Sequence, residues 1–370
     1  MTEWLQQTDE RRIEIINQVN IKTGISVKAI EKDWWVTLAI KAIFSFSWAE
    51  NLVFKGGTSL SKAWGLTERF SEDIDLVMDR GLLGMPGEIR TRSQVQKLRL
   101  RSAEFAVEVF APTLKEELVN MGVDPALFEI IIEPTAQPDI DPQKIQLTYK
   151  PLFASNKYLP DVVTIEPGAR SLREPCSPRQ ITSIIGQTYP GASFSGAPFT
   201  VETVEPKRTL LEKIFLLHEN FQKPREKWKH ERLSRHHYDL HRLMNTEHAK
   251  AALADEALYR HIVAHRDLFN HEAGVDYKRH APATIRFIPP DEVFSLWTGD
   301  FRIMRENMIY GQTTDFKQMA DELGTLQNEI NAIVHTVLPE AEGAAKEQTS
   351  EQAAPAADVV PTGEKALNSR

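Results

Sequence analysis

The segment FKGGTSLSKAWGLTERFSEDIDLVMD, residues 54–79, carries a glycine pair and then two aspartates in a strand-like pattern. Because residues two apart in a strand point to the same face, Asp73 and Asp75 are predicted to project together. Ile74 and Leu76 then face the opposite, buried side. Adjacent carboxylates repel each other unless a cation lies between them. Their oxygens suit Mg²⁺ or Mn²⁺, so the pair predicts a metal site of the kind that serves phosphoryl and nucleotidyl transfer.

The glycine pair precedes a helical stretch and follows an apolar run. Gly56 and Gly57 let the backbone approach a phosphate closely, and N–H groups at the start of a helix favour negative charge. Thr58 and Ser59 add hydroxyl donors. The segment is not a Walker loop, because no glycine stands directly before Lys62. A glycine turn or a solvated aspartate pair alone is common without such chemistry, but the two together favour nucleotide binding.

Periodicity along the chain predicts an α+β fold. Strands are predicted for short alternating runs at residues 51–57, 72–79, 128–134, 144–150 and 161–167. Helices are predicted for longer segments at residues 28–46, 92–122, 208–221, 235–245, 248–270 and 316–338. A mixed sheet with helices packed on it follows, and the chain is helical after it.

This pattern divides the chain into three parts. Residues 1–204 are predicted to form the sheet-containing α/β domain with N-terminal helices, and residues 205–338 a helical domain. Residues 339–370 are rich in Ala, Glu and Pro and nearly lack large apolar side chains. Such a segment buries too little surface to offset its ordering entropy, so a disordered tail is predicted.

Composition indicates an intracellular protein. Hydrophobic residues make up 41% and charged residues 26% of the 370 residues, which is ordinary for a globular protein. No apolar run approaches the roughly 20 residues needed to cross a bilayer, and the N-terminus lacks a secretory pattern. A single cysteine, Cys176, suits a reducing cytoplasm. A cytoplasmic location without membrane attachment is predicted, and the oligomeric state stays open.

Two basic stretches interrupt a chain whose formal net charge is -8. They lie at residues 88–102 and 223–237. Basic stretches of this kind can meet a phosphate backbone, where each contact adds salt-dependent affinity. A solvated helix face is the alternative interpretation of both.

The chain resembles the AbiEii/AbiGii toxin family of polymerase-β-like nucleotidyltransferases, the toxic half of type IV toxin–antitoxin systems. The resemblance covers almost everything except the tail. It rests on EKDWWVT (31–37), FKGGTSLSK (54–62), RFSEDIDL (69–76), VTIEPGARS (163–171), TLLEKIFLLHE (209–219), SRHHYDLHRL (234–243) and MRENMIYG (304–311). The superfamily's usual glycine–serine pair lies closer to its carboxylates, whereas fifteen residues separate Gly57 from Asp73 here and Thr58 follows the glycines.

The resemblance implies a function and roles for several residues. It implies that Asp73 and Asp75 bind Mg²⁺ or Mn²⁺ and that residues 57–59 receive the triphosphate of an NTP substrate. Lys213 matches a lysine expected on the nucleotide phosphates, and Asp239 matches an acidic residue required for activity. The implied acceptor is RNA, with the tRNA 3′ end the leading candidate. Modification there would block translation, so a cognate antitoxin is the implied partner.

The residues alone leave Lys213 and Asp239 open. Lys213 lies beside the apolar stripe of the helix predicted at 208–221, from which Glu212 and Glu219 face away. It can bury its stem and extend its ammonium into a cleft, or simply reach solvent. Asp239 can work in the site or pair with Arg235, four residues earlier on the same helix face.

Further candidates complete the predicted site. Glu166 is a candidate third carboxylate, as metal ligand or general base, or else a solvated residue of an edge strand. Arg170 is a candidate phosphate contact, and Lys55 and Ser71, beside the two motifs, join the nucleotide-binding set. The histidines lack the HExxH pattern and cysteine partners of a zinc site, so surface or RNA-facing roles are predicted for His230, His236, His237 and His241.

The predicted activity is transfer of a nucleoside monophosphate from an NTP to RNA. Three alternatives remain at this point. A protein hydroxyl can be the acceptor, as in AMPylating enzymes, or a small molecule such as an antibiotic can be. A non-catalytic protein that uses the cleft to sense nucleotide is the third.

Overall fold

Strands β1 (Leu52–Lys55) and β2 (Asp73–Met78) pair antiparallel at the centre of a mixed sheet. This computed structural model describes residues 1–334 except 72, 136, 138 and 155–158. The disordered tail predicted at 339–370 and residues 335–338 of the predicted helical domain therefore lie outside the described residues.

The sheet has seven strands within the described part of the chain, in the order β3-β4-β5-β2-β1-β7-β6. Besides β1 and β2, its strands are β3 (Phe128–Ile132), β4 (Ile145–Tyr149), β5 (Val162–Gly168), β6 (Cys176–Ile181) and β7 (Phe199–Val204). The β2/β5 and β1/β7 pairs are parallel, and the remaining pairs are antiparallel. The predicted α+β class is confirmed.

Helices precede, interrupt and follow the sheet. Those of the first half are α1 (Asp9–Thr23), α2 (Val27–Ile43), α3 (Gly56–Lys62), α4 (Arg92–Phe105), α5 (Ala111–Asn120) and α6 (Ile184–Thr188). Those of the second half are α7 (Pro206–Gln222), α8 (Ser234–Leu243), α9 (Glu247–Ala254), α10 (Glu256–Phe269), α11 (Asp291–Asn307) and α12 (Phe316–Asn331). Side-chain caps fix several starts: Thr8 accepts from the Arg11 N–H and Ser26 from the Ala29 N–H.

The two faces of β2 have different surroundings. Ile74 and Leu76 are buried in a large core that also includes side chains of the later helices. Val77, on the opposite face, forms a small apolar cluster with Val53 and Val204. Because Asp73 and Asp75 share the face of Val77, the alternation of β2 directs its carboxylates away from the main core.

Contacts join Met1–Val334 into one compact unit. Helix α2 illustrates the packing, because nearly all of its side chains are buried, including the predicted inward residues Trp34, Leu38, Ile40 and Ile43. Among the residues that the structure describes, no helix has both the length and the apolar character needed to span a membrane.

Candidate active site

Three carboxylates meet on the same face of neighbouring strands. Asp73 and Asp75 lie on β2, and the parallel register of β2 with β5 places Glu166 directly beside Asp75. Strand β5 lies between β4 and β2, so Glu166 is on an internal strand rather than on the edge strand considered as an alternative. Residues opposite each other in register share a face of the sheet, and all three side chains line one cavity.

Burial and the neighbouring carboxylates both disfavour the ionised forms of Asp75 and Glu166. Burial raises the pKa of Asp75, and Asp73 adds to the rise while Lys55 opposes it. Burial also raises the pKa of Glu166, to about 7, with Asp75 and then Asp73 contributing further. Neighbouring negative charges that are only partly compensated favour a proton or a cation between them.

Gly56 makes room for this arrangement. It follows β1 with φ +82°, a conformation that only glycine adopts without strain. A Cβ at this position would lie 1.9 Å from Oδ2 of Asp75. A Cβ on Gly57 would lie 2.5 Å from a guanidinium nitrogen of Arg69. The glycine pair is therefore required by close approach to the site's side chains.

The hydroxyls that follow the glycines bond to the backbone. Thr58 Oγ1 donates to the carbonyl of Asp73 at 2.5 Å, and Ser59 Oγ donates to the carbonyl of Gly56 at 2.8 Å. Both side chains are fully buried, and neither lines the cavity. The structure thus places Thr58 and Ser59 behind the glycine turn, where Thr58 ties α3 to β2 and Ser59 closes the first turn of α3.

The cavity in front of the carboxylates measures about 540 Å³. Most of the predicted site residues line it: Lys55, Gly56, Gly57, Ser71, Asp73, Asp75, Glu166, Arg170 and Lys213. Lys55 lies opposite Asp75 in the β1/β2 register, and its Nζ donates to Ser171 Oγ at 2.7 Å. Arg170 is held by its backbone N–H, which donates to the buried Asp141 at 3.0 Å.

Asp239 lies behind the cavity wall in a buried ion triad. Arg69 donates to both of its carboxylate oxygens, each at 2.7 Å, and Lys213 Nζ lies 2.9 Å from Oδ2. Burial alone would raise the pKa of Asp239, but Arg69 and Lys213 outweigh it and lower the pKa. The partners of Asp239 are thus Arg69 and Lys213, not Arg235, whose guanidinium instead lies 3.7 Å from Asp73.

Several lining residues were not predicted. Glu212 and Glu219, placed by the periodicity on a side of α7 that faces away, line the cavity. Glu219 is buried and paired with Arg266 on α10. The helical period correctly placed both glutamates away from the apolar stripe of α7. It could not show that this side lines a cavity, because residues distant in sequence, such as Arg266, form the rest of the wall. Arg69 had a local signal, its place in the RFSEDIDL motif.

The histidines of α8 lie in separate environments. His236 Nδ1 lies 3.3 Å from Lys213 Nζ at the cavity. The Nε2 of His237 bonds to the Phe287 carbonyl at 2.7 Å, whereas the Nε2 of His241 bonds to Glu322 at 2.6 Å. His237 is fully buried, so the surface role predicted for it is wrong. His230 lies in the wall of a second cavity.

The carboxylates of Asp73 and Asp75 fit a divalent metal whose remaining coordination positions are filled by substrate and water. Among the described residues, no three His, Cys, Asp or Glu side chains converge closely enough to hold an ion by themselves. Mg²⁺, however, is commonly held by one or two carboxylates, with water and phosphate oxygens filling its shell. Asp73 and Asp75 supply that partial set of hard oxygen ligands at the wall of an open cavity.

Comparison with known proteins identifies the family. The model of the nucleotidyl transferase AbiEii toxin family, type IV toxin–antitoxin system, matches residues 39–322, well over half of the chain. The chain belongs to this family. It is therefore a nucleotidyltransferase of the AbiEii toxin family, and the predicted family and enzyme class are confirmed. The family match favours the enzyme over the nucleotide-sensing alternative.

Solved structures with similarity to this AbiEii-family chain are distant in sequence. MenT4, a nucleotidyltransferase toxin from Mycobacterium tuberculosis H37Rv, is 15% identical with a TM-score of 0.45, covering 88% of this chain and 98% of that one. A putative nucleotidyltransferase from H. pylori is 15% identical with a TM-score of 0.37, covering 83% and 96%. A comparison with curated proteins finds no match.

Proposed function

We propose that this toxin transfers a nucleoside monophosphate from an NTP to an RNA acceptor in a reaction that depends on Mg²⁺ or Mn²⁺. The 3′ end of tRNA is the proposed acceptor, so that modification blocks translation in the cytoplasm. The observation that carries the proposal is that Asp73, Asp75 and Glu166 line one cavity together with Lys55, Arg170 and Lys213. Carboxylates that can hold a divalent ion, together with cations that can bind phosphate oxygens, complement a metal-bound triphosphate.

In this proposal the residues divide into two groups. Asp73 and Asp75 would hold the divalent ions, of which one would help to deprotonate the attacking hydroxyl and the other would neutralise charge on the departing pyrophosphate. Lys55, Arg170 and Lys213 bind phosphate oxygens. Such fixed charges stabilise the transition state without reorganising during the reaction.

Glu166 and the glycine turn have supporting roles. The acceptor hydroxyl attacks the α-phosphorus as the bond to the pyrophosphate oxygen breaks. Glu166, with its pKa near 7, is suited to take the proton of that hydroxyl on a carboxylate oxygen. Gly56 and Gly57 keep the wall beside Asp75 open to phosphate, while Thr58 and Ser59 fix the turn through their bonds to backbone carbonyls. Ser71 lies next to Gly57 at the same wall.

The basic stretch at 223–237 supports a nucleic-acid acceptor. Its Lys223, Lys229 and Arg235 line the cavity, whereas no residue of the stretch at 88–102 does so among the described residues. Cations that extend from a reaction centre along one segment suit a phosphate backbone. Membership of a type IV toxin–antitoxin family supports a cognate antitoxin as the protein partner.

Incubation with each of four labelled NTPs tests the proposal. Wild type is expected to label RNA from total extract in Mg²⁺, and EDTA is expected to abolish labelling. Asp73→Ala should reduce labelling at least 100-fold, since it removes a ligand of the ion. Asp321→Ala, at an exposed position on α12, is the matched control and should label normally. Label in protein instead of RNA would reject the RNA acceptor and favour an AMPylating enzyme.

A further inference from the structure

A second cavity, here called the annex, adjoins the active-site cavity. It measures about 500 Å³, within the usual range of ligand pockets. Its wall includes Arg225, Trp228, Lys229 and Leu296, with the buried Trp297 also contributing. Lys229 lines both cavities. The two spaces are therefore neighbours, with a lysine at their junction.

The loop that forms one wall of the annex is fixed by hydrogen bonds. The side-chain amide of Asn220, near the end of α7, donates to the carbonyl of Lys229 and accepts from its N–H, each at 3.0 Å. The indole Nε1 of Trp228 donates to the carbonyl of Lys223 at 2.8 Å, and the ring packs edge-on against Phe221. Because the N–H of Trp228 is already used, the indole offers a ligand its apolar ring.

The remaining wall comes from α11 and is apolar. Leu296 is 48% exposed although it is a large aliphatic residue beside a cavity. Trp228 and Leu296 thus present apolar surface, and Arg225 and Lys229 add two cations against the single acid Glu226. An apolar surface flanked by cations is the combination that binds a base together with its phosphates.

We propose that the annex binds an unpaired nucleotide of the acceptor RNA just upstream of its reacting 3′ end. The base stacks on Trp228 and Leu296, and Arg225 and Lys229 contact the flanking phosphates. From Lys229 the strand continues into the cavity of Asp73 and Asp75. This inference rests on the proposed RNA acceptor and narrows it to RNA with a single-stranded 3′ overhang, because a paired base cannot leave its helix to stack at low cost.

RNA binding without chemistry tests the annex directly. Anisotropy of a fluorescein-labelled hairpin RNA with a four-nucleotide 3′ overhang is measured in an Asp73→Ala background without NTP. Trp228→Ala is expected to raise Kd roughly 5- to 150-fold, the range expected for one stacked base, whereas Trp228→Phe retains most of the affinity. Lys229→Ala should reduce the slope of log K against log salt concentration by about 0.7, the contribution of one phosphate contact to a single strand.

Two glutamate variants on α11 form a matched pair. Leu296→Glu places a negative charge in the annex and is expected to weaken RNA binding at least tenfold. Ile303→Glu, 44% exposed on the same helix but outside the annex, should bind RNA as the parent does. Thermal unfolding of both variants checks that neither change acts through loss of folding. A blunt hairpin without the overhang should bind more weakly than the overhang RNA. Its affinity should be the same for the parent, Leu296→Glu and Ile303→Glu.

The outcomes separate this inference from the proposed function. If Leu296→Glu and Trp228→Ala bind the overhang RNA as tightly as Ile303→Glu does, or if the blunt hairpin binds equally well, the annex proposal is wrong even where wild type labels RNA. If overhang binding depends on Trp228 but wild type labels no RNA, the annex stands as an RNA site and the proposed reaction fails. Labelling of a protein that depends on Trp228 overturns the RNA occupant.

Discussion

Gly56 lies against the carboxylate of Asp75. Because glycine has no Cβ, it leaves free the space that this carboxylate occupies. The sequence indicated the importance of the glycine pair through its position after a strand, and the structure adds a second reason to the one predicted. Phosphate approach was expected, and the structure adds contact with Asp75 and Arg69. Such contacts join residues 12 or more positions apart, which periodicity cannot relate to each other.

Gly56→Ala is predicted to abolish most activity while the protein stays folded. The new Cβ would displace the carboxylate of Asp75, and a misplacement of about 1 Å in such a site costs about 100-fold in rate. Gly65→Ala is the matched control, because Gly65 also has positive φ but nothing lies within 4 Å of its would-be Cβ. Both variants carry about 1–2 kcal/mol of left-handed strain.

Nucleotide transfer and urea unfolding are measured on both glycine variants. Similar stability losses with a large difference in activity are expected. Equal activities would show that the position of Asp75 does not depend on Gly56.

Secondary structure elements with apolar periodicity were predictable, and those without it were not. All five predicted strands correspond to β1–β5, and the helix predicted at 208–221 is observed at Pro206–Gln222. Strands β6 and β7 were missed as individual strands. The residues of β6, CSPRQI, are mostly half-buried or exposed and lie at an edge of the sheet. Their extended conformation therefore depends on pairing with β7 rather than on burial of alternate side chains.

Helices α7 and α10 are joined by a buried ion pair whose effect depends on pH. Arg266 donates to Glu219 at 2.6 and 2.5 Å, and His280 Nε2 lies 3.1 Å from the same carboxylate. Burial alone would raise the pKa of Glu219, but these hydrogen bonds outweigh it and hold the pKa at about 2. Because the folded-state pKa is below the ordinary value of 4.5, the pair stabilises the fold above about pH 4.5 and loses this effect as the pH falls toward 2.

Glu219→Gln is therefore predicted to lower the free energy of unfolding by about 3 kcal/mol at pH 7. The difference from wild type should shrink as pH falls below 4.5. Urea unfolding followed by circular dichroism between pH 7 and pH 3 measures it. Asp321→Asn removes an exposed partner of Lys317 and should show a difference near zero throughout. A Glu219→Gln difference that stays constant with pH would contradict the assigned ionisation.

At the scale of the whole molecule, the site forms where the sheet half meets the helical half. Arg69 precedes β2, Lys213 lies on α7 and Asp239 on α8, and the three form one buried triad. Residues 68–70 also pair with residues 308–310: the Phe70 N–H donates to the Met308 carbonyl at 2.7 Å, and the Tyr310 N–H donates to the Glu68 carbonyl at 3.0 Å. The sequence indicated both halves and several of these motifs, but only the fold shows which residues meet across them.

The triad predicts that substitutions of Asp239 and of Lys213 differ in their effect on stability. Asp239→Asn leaves two buried cations without their carboxylate and should cost about 3–5 kcal/mol of stability as well as activity. Lys213→Met leaves Asp239 paired with Arg69 and should lose transfer activity at a much smaller cost in stability. Unfolding and transfer assays on both variants test this. A stable but inactive Asp239→Asn would indicate that Asp239 contacts substrate directly.

The most direct measurement is a crystal structure with Mn²⁺ and a non-hydrolysable NTP analogue, using the anomalous signal of the metal. We expect a manganese peak between Asp73 and Asp75, coordinated also by phosphate oxygens, with Lys213 and Arg170 on the triphosphate. A nucleotide bound elsewhere, or manganese bound away from both aspartates, would contradict the assignment of this cavity as the site of nucleotidyl transfer.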